Sequence, residues 1–307
     1  MKTQKVSYRG WQNALRLANS RVELIVTLDV GPRVIFLSTP GGENIFANFE
    51  EQMGLTGGDE WRIYGGHRLW HSPEAKPRSY YPDNAPVDAQ IEGDTVRLIP
   101  PAETPYGIQK EIDITLLGDE PHLEVRHILE NTGPWPIEVA PWAISVMNVG
   151  GVAIIPQPSW STPGDLLANR MVALWPYSDM ADPRVHWGSR YIMLRQDPGR
   201  EPPFKFGLNA ADGWAAYARS NMLFVKTFEY EPDAVYPDYG CSAESYVCGR
   251  FLELETVAPL TWLEPGETVE HTENWFLFSE VGPVATEQDA DQLVLPLAQQ
   301  ALDQSAF

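Results

Sequence analysis

Residues 251–278 read FLELETVAPLTWLEPGETVEHTENWFLF. Leu252 and Leu254 alternate with Glu253 and Glu255, the period-two pattern of a half-buried strand. Successive side chains of a strand point to opposite faces, so the two leucines take the core side and the two glutamates share the other. Leu263, Glu264, Pro265, Gly266 and Glu267 supply turn chemistry, and an aromatic-rich strand resumes at Thr268.

The same alternation recurs in both directions. Val22–Gly31 and Arg33–Thr39 read as strands joined through Gly-Pro, followed by segments at 94–100, 110–131 and 135–148 with GDEP and NTGPWP as tight connections. In the second half RYIMLRQ, GWAAYAR and NMLFVKTFEY repeat the style, whereas residues 156–204 are rich in Pro, Trp, Ser and Asp and read as long loops over one face. Only residues 285–306 read as helical, with Thr286 as the cap and Pro296 interrupting the pattern. There is no alternation of strands and helices. The expected fold is all-β, a large antiparallel β-sandwich built as a meander, with residues 1–307 as a single domain ending in a short C-terminal helix.

Composition sets limits on partners. A net charge of −20 repels phosphate backbones and anionic membrane surfaces, so neither nucleic acid nor a membrane is an expected partner. No stretch approaches the roughly 18 apolar residues of a membrane-spanning helix. The first residues show no apolar segment followed by a small-residue cleavage site, and Cys241 and Cys248 fit neither a disulfide framework nor a zinc pattern. A cytoplasmic, reduced protein is the expectation, with its oligomeric state open.

The order of these pieces resembles the galactose mutarotase-like superfamily. The resemblance rests on LET at 254–256 ahead of the LEPGE turn, on DVGPRVIFLSTPGGENIFAN as opening strands, and on LEVRHILENTGPWPIEVAPW as a central strand pair. With GGHRLWHSPE added, the chain looks closest to an aldose 1-epimerase-like branch. The resemblance implies a β-supersandwich whose broad concave sheet binds a small carbohydrate. It also implies ring opening by a glutamate base and a histidine acid, with no metal or organic cofactor.

On that resemblance Glu255 matches the base and Glu253 is its neighbour on the same face. The matching place for the usual acid is occupied by Trp142, in VAPWAISVMN. His67 and His71, in YGGHRLWHSPE at 64–74, are then the remaining candidates for the acid. Their spacing would suit a metal pair on a helix, but Gly65, Gly66 and Pro73 make the segment read as a loop. Arg62, Arg68, Trp70 and Glu74 complete a polar and aromatic cluster there.

Aromatic residues in predicted loops, Trp61, Trp70, Tyr80, Tyr81, Trp160, Trp175, Trp187 and Tyr236, suit stacking on sugar rings, although core packing accounts for most aromatics in a sandwich. Lys226, a charge inside an apolar strand expected to lie close to the Glu255 strand in the meander, reads as reaching into the concave face, with Tyr236, Asp238 and Glu244 in the Pro-containing loop beyond it. Three functions follow: an aldose 1-epimerase-like enzyme, a non-catalytic carbohydrate-binding protein on the same scaffold, or a lyase or isomerase of an acidic sugar.

Overall fold

The computed structural model describes residues 2–158 and 166–305. Trp160 and the last residue of the predicted helix lie outside them. Two antiparallel sheets account for the described strands. The first has 11 strands: Lys2–Tyr8, Trp11–Ala18, Glu23–Thr27, Val34–Ser38, Gly66–Ser72, Ile137–Met147, Leu252–Val257, Ala243–Val247, Phe204–Leu208 and Val172–Leu174 in spatial order, with Thr261–Leu263 paired to the start of Ile137–Met147. The second has 10, from Val185–Trp187 through Tyr191–Arg195, Val152–Pro156, Trp214–Arg219, Met222–Phe228, Thr268–Ser279, His122–Asn131, Ile108–Leu116 and Thr95–Ile99 to Asp88–Glu92.

The inward residues of both sheets form the main core, including Leu24, Val26, Leu98, Ile112, Leu123, Phe204, Leu254 and Trp275. Each such aliphatic side chain contributes roughly 1.5–3 kcal/mol when fully buried. A second core lies on the other side of the 10-stranded sheet. There Ile154, Trp214, Val225 and Phe276 pack against Val294, Ala298 and Ala301 of the C-terminal helix. Thr286 caps that helix through a capping box with Asp289. A wide turn at Ala290–Val294 directly precedes Pro296, which sits in the first turn of Leu295–Gln304, where its missing N–H costs nothing.

The expected sandwich is therefore present, and four local expectations need correction. Residues 64–74 are not a loop: Gly66–Ser72 is a central strand paired with Ile137–Met147. Its glycines serve close approach of neighbouring backbone, since a Cβ on Gly65 would lie 2.0 Å from the Ala47 carbonyl oxygen and one on Gly66 2.4 Å from that of Val34. Residues 156–204 carry three strands as well as loops. The chain is not one continuous meander, because it crosses between sheets after Gly66–Ser72 and again after His122–Asn131. Finally, the Lys226 strand does not neighbour the Glu255 strand within a sheet; the two lie in opposing sheets and meet face to face, with Lys226 Nζ donating to the Leu254 carbonyl at 3.3 Å.

Candidate functional site

Strand register builds the site on the outer face of the 11-stranded sheet. Arg68, Ile144, Glu255, Glu244 and Gly207 form one transverse row across five strands. Val146, Glu253, Tyr246 and Lys205 form the next, and Trp70, Trp142 and Val257 the one on the other side. Alternation turns Leu252, Leu254 and Thr256 inward, so Glu253 and Glu255 do share the outer face. Over these rows lies a cavity of about 260 Å³, lined by seven aromatic side chains, Trp61, Trp70, Tyr80, Trp142, Tyr177, Tyr246 and Phe251, together with Arg68, Glu74, Lys205 and Glu253.

Two charged clusters lie at and beneath its floor. Arg68 Nη2 donates to Glu253 Oε1 at 2.9 Å, while the guanidinium lies over Trp70, 4.6 Å from the ring centre, and 5.6 Å from that of Trp61. Its Nε and Nη1 are buried without a partner, as is Trp61 Nε1. Burial raises the pKa of Glu253 against the pull of Arg68. In the second cluster Lys205 Nζ stands 2.8 Å from Glu255 Oε2 and 2.7 Å from Glu244 Oε2, between the rings of Trp142 and Trp175 at 4.6 and 4.5 Å. Burial disfavours the Lys205 charge, yet Glu244 and Glu255 together hold its pKa well above the ordinary value. Burial, with Glu255 beside it, pushes the pKa of Glu244 well up against the pull of Lys205. Trp142 Nε1 donates to Glu255 Oε2 at 2.8 Å.

Several predicted site residues lie elsewhere. His67 and His71 alternate with Arg68 and Trp70 and therefore face the inter-sheet core, away from Glu255. His71 Nε2 meets Glu103 at 3.1 Å, and burial lowers its pKa to about 4. Burial also takes His67 well below its ordinary value. Among the described residues, none that lines the outer cavity is a histidine. Lys226 is buried inside the sandwich on Glu273 at 2.8 Å. Arg62 holds a loop by donating to the Gly57 carbonyl and Tyr64 Oη, while Tyr236 Oη accepts from the Glu231 N–H and its ring stacks on Tyr230. The Asp238 carbonyl faces Cys241 Sγ at 3.1 Å. Trp187 packs on Phe204 and Phe206 in the core.

Lys205, Tyr177, Tyr246 and Phe251 complete the site without having been singled out for it, and Glu244, read as a loop residue, lies on strand Ala243–Val247. The signal for Lys205 was available, since FKFGL at 204–208 carries a charge inside an apolar run as plainly as the Lys226 strand does.

No protein-family model and no curated protein sequence matches the chain. Solved structures do match. A galactose mutarotase-like protein from Lactobacillus casei is 11% identical, with 87% of this chain and 100% of that one covered at a TM-score of 0.55. One from Clostridium acetobutylicum is 11% identical over 91% of this chain and 99% of that one, at 0.54. The chain has the galactose mutarotase-like fold. A TPR-domain containing protein from Parabacteroides distasonis matches 89% of this chain at 14% identity and a TM-score of 0.60, and the chain spans about half of that protein's length, 48%. At these identities the fold alone is what is shared. Within it, Trp142 and Glu255 form a bonded pair on the outer face. No helix among the described residues is long and apolar enough to cross a membrane.

Proposed function

We propose that the outer-face cavity binds a neutral sugar ring. The observation that carries this reading is the aromatic enclosure of a cavity whose polar lining includes the Arg68–Glu253 pair, with Arg68 Nε and Nη1 left without a hydrogen-bond partner. Aromatic faces suit the apolar faces of a pyranose, and a few placed polar groups suit its hydroxyls. About 260 Å³ is just below the roughly 300–1,000 Å³ of drug-sized ligand pockets, which favours one ring over a chain. The lining charges balance, Arg68 and Lys205 against Glu74 and Glu253, and this favours a neutral sugar over an acidic one. The names of the galactose mutarotase-like neighbours point to a sugar as well.

One observation favours ring opening as a second reading. Glu244, whose pKa burial pushes well up, and Glu255 share Lys205, so a candidate acid stands in one cluster with the carboxyl group that the resemblance matches to the base. Against it, both carboxyl groups are fully buried and Trp142 and Lys205 already engage Glu255 Oε2.

Calorimetric titration with a panel of neutral monosaccharides and uronates tests the first reading. Saturable binding of a neutral sugar, lost in Arg68→Ala, is expected; binding of uronates alone would overturn it. Anomer relaxation followed by NMR tests the second: acceleration by the wild type that disappears in Glu255→Gln would establish ring opening, and relaxation at the buffer rate would exclude it.

A further inference from the structure

The inter-sheet core holds a second constellation that the outer cavity does not use. His67, His127 and Glu273 come from three strands, Gly66–Ser72, His122–Asn131 and Thr268–Ser279, and all three are fully buried. One nitrogen or oxygen of each lies within 4.8 Å of the other two. The Nε2 atoms of His67 and His127 face one another at 2.7 Å.

Each ring is anchored through its remaining nitrogen. His127 Nδ1 donates to the His271 carbonyl at 2.9 Å, which leaves the Nε2 of the neutral ring with a free lone pair aimed at His67. Ser145 Oγ lies 2.9 Å from His67 Nδ1 and can take either hydrogen-bonding role, so His67 can also turn a lone pair toward the gap. Glu273 is fixed by Trp275 Nε1 at 2.7 Å on Oε2 and by Thr256 Oγ1 at 2.5 Å on Oε1. Two imidazoles and a carboxylate, each oriented by an outer partner, form the donor set of a transition-metal site.

We infer that His67, His127 and Glu273 supply three ligands of a site between the sheets for a divalent transition-metal ion, zinc being the first choice for this donor set, with a water as the fourth ligand of the tetrahedral ion. At zinc–nitrogen distances near 2.0–2.1 Å in a tetrahedral arrangement, the two Nε2 atoms stand about 3.3 Å apart, so the rings part by roughly 0.6 Å to admit the ion. Lys226 holds the position of the cation otherwise. Its Nζ donates to Glu273 Oε1 at 2.8 Å and already reaches the Leu254 carbonyl, to which it retreats as the ion takes the carboxylate. An ion enclosed here ties two strands of one sheet's neighbourhood to the other and so supports the sandwich beneath the sugar pocket.

The test uses the full chain carrying no histidine tag, refolded from urea with zinc or cobalt(II) and then desalted. About one equivalent of zinc per chain and the visible bands of tetrahedral cobalt(II) are expected. His67→Gln and His127→Gln each weaken zinc binding by about 10-fold or more, whereas His71→Gln, outside the constellation, leaves it unchanged. Lys226→Gln, which keeps a donor for Leu254 and removes the competing charge, binds zinc more tightly than the wild type. Should a variant fail to fold, the wild type alone decides: its Tm rises in excess zinc relative to chelator. Less than about a tenth of an equivalent of zinc, no cobalt bands and an unchanged Tm would overturn the site and leave the two histidines as a hydrogen-bonded pair.

Discussion

Trp142 Nε1 donates to Glu255 Oε2 at 2.8 Å, so the tryptophan and the glutamate to which the sequence resemblance drew attention are bound directly to each other. Lys205 engages the same oxygen, also at 2.8 Å. The carboxylate is thereby committed to two neighbours, and only Oε1 is left without a partner. The charged residues lining the cavity are Arg68, Glu74, Lys205 and Glu253, and Glu255 is not one of them.

This arrangement predicts unequal losses of stability. Lys205→Met leaves two buried carboxyl groups facing each other without their cation, a loss of about 3–5 kcal/mol. Glu255→Gln leaves Lys205 paired with Glu244 and removes about 1–2 kcal/mol. Urea unfolding at pH 7 measures both, and equal losses would contradict the shared-lysine arrangement.

Binding should depend on the fork of Arg68 as well as on its charge. Arg68→Lys keeps a cation near Glu253 but lacks the planar fork that fixes the direction of the remaining donors, and it loses the contact of the guanidinium with Trp70. Affinity for the sugar that binds the wild type should fall about 10-fold or more, corresponding to roughly 1.5–3 kcal/mol for hydrogen bonds to a charged group. Trp61→Phe, which removes only the unpaired Nε1 and part of the ring, should cost less. Calorimetry that finds Arg68→Lys unchanged would remove Arg68 from recognition.

The strands whose two faces differ in polarity were legible in the sequence. At 252–255 the leucines enter the core and the glutamates do not, and the alternation states this directly. Gly66–Ser72 was not legible because every residue in it is buried: His67 and His71 fill one face, Arg68 and Trp70 the other. Polar groups on both sides erase the period-two signal, and the glycines before it imitate a turn while serving backbone crossing. Lys226 and Lys205 give identical local signals, a lysine in an apolar strand. Which of them reaches the outer face depends on sheet assignment, a long-range property that neither segment carries.

Gly207 sets the room available to the lysine cluster. A Cβ there would lie 2.5 Å from Cys241 Sγ and 3.1 Å from Glu244 Cγ. Gly207→Ala should therefore destabilise the protein by about 1–3 kcal/mol through overpacking. Adding Cys241→Ala removes the nearer of these atoms and should recover part of the loss, so the two changes are not additive. Additive losses in a double-mutant cycle would show that the contact is relieved elsewhere.

The buried histidines predict loss of stability in mild acid, and His71 allows the effect to be isolated. Its Nε2 meets Glu103, and Lys110 and Arg78 are the cations near it. Its Nδ1 is buried without a partner, so a proton placed there has no acceptor. Burial takes the pKa from 6.5 down to about 4 in the folded chain. Between those values the unfolded chain binds the proton and the folded chain does not, so stability is complete above pH 6.5 and falls as the pH is lowered toward 4. At about 1.4 kcal/mol per pH unit, His71 accounts for about 3 kcal/mol across that window. His71→Gln keeps a donor for Glu103 and abolishes the titration. Urea midpoints at pH 7, 5.5 and 4.5 should therefore fall more steeply for the wild type than for the variant, with the other buried histidines common to both. Parallel profiles would mean that His71 is protonated in the folded protein at the same pH as in the unfolded chain.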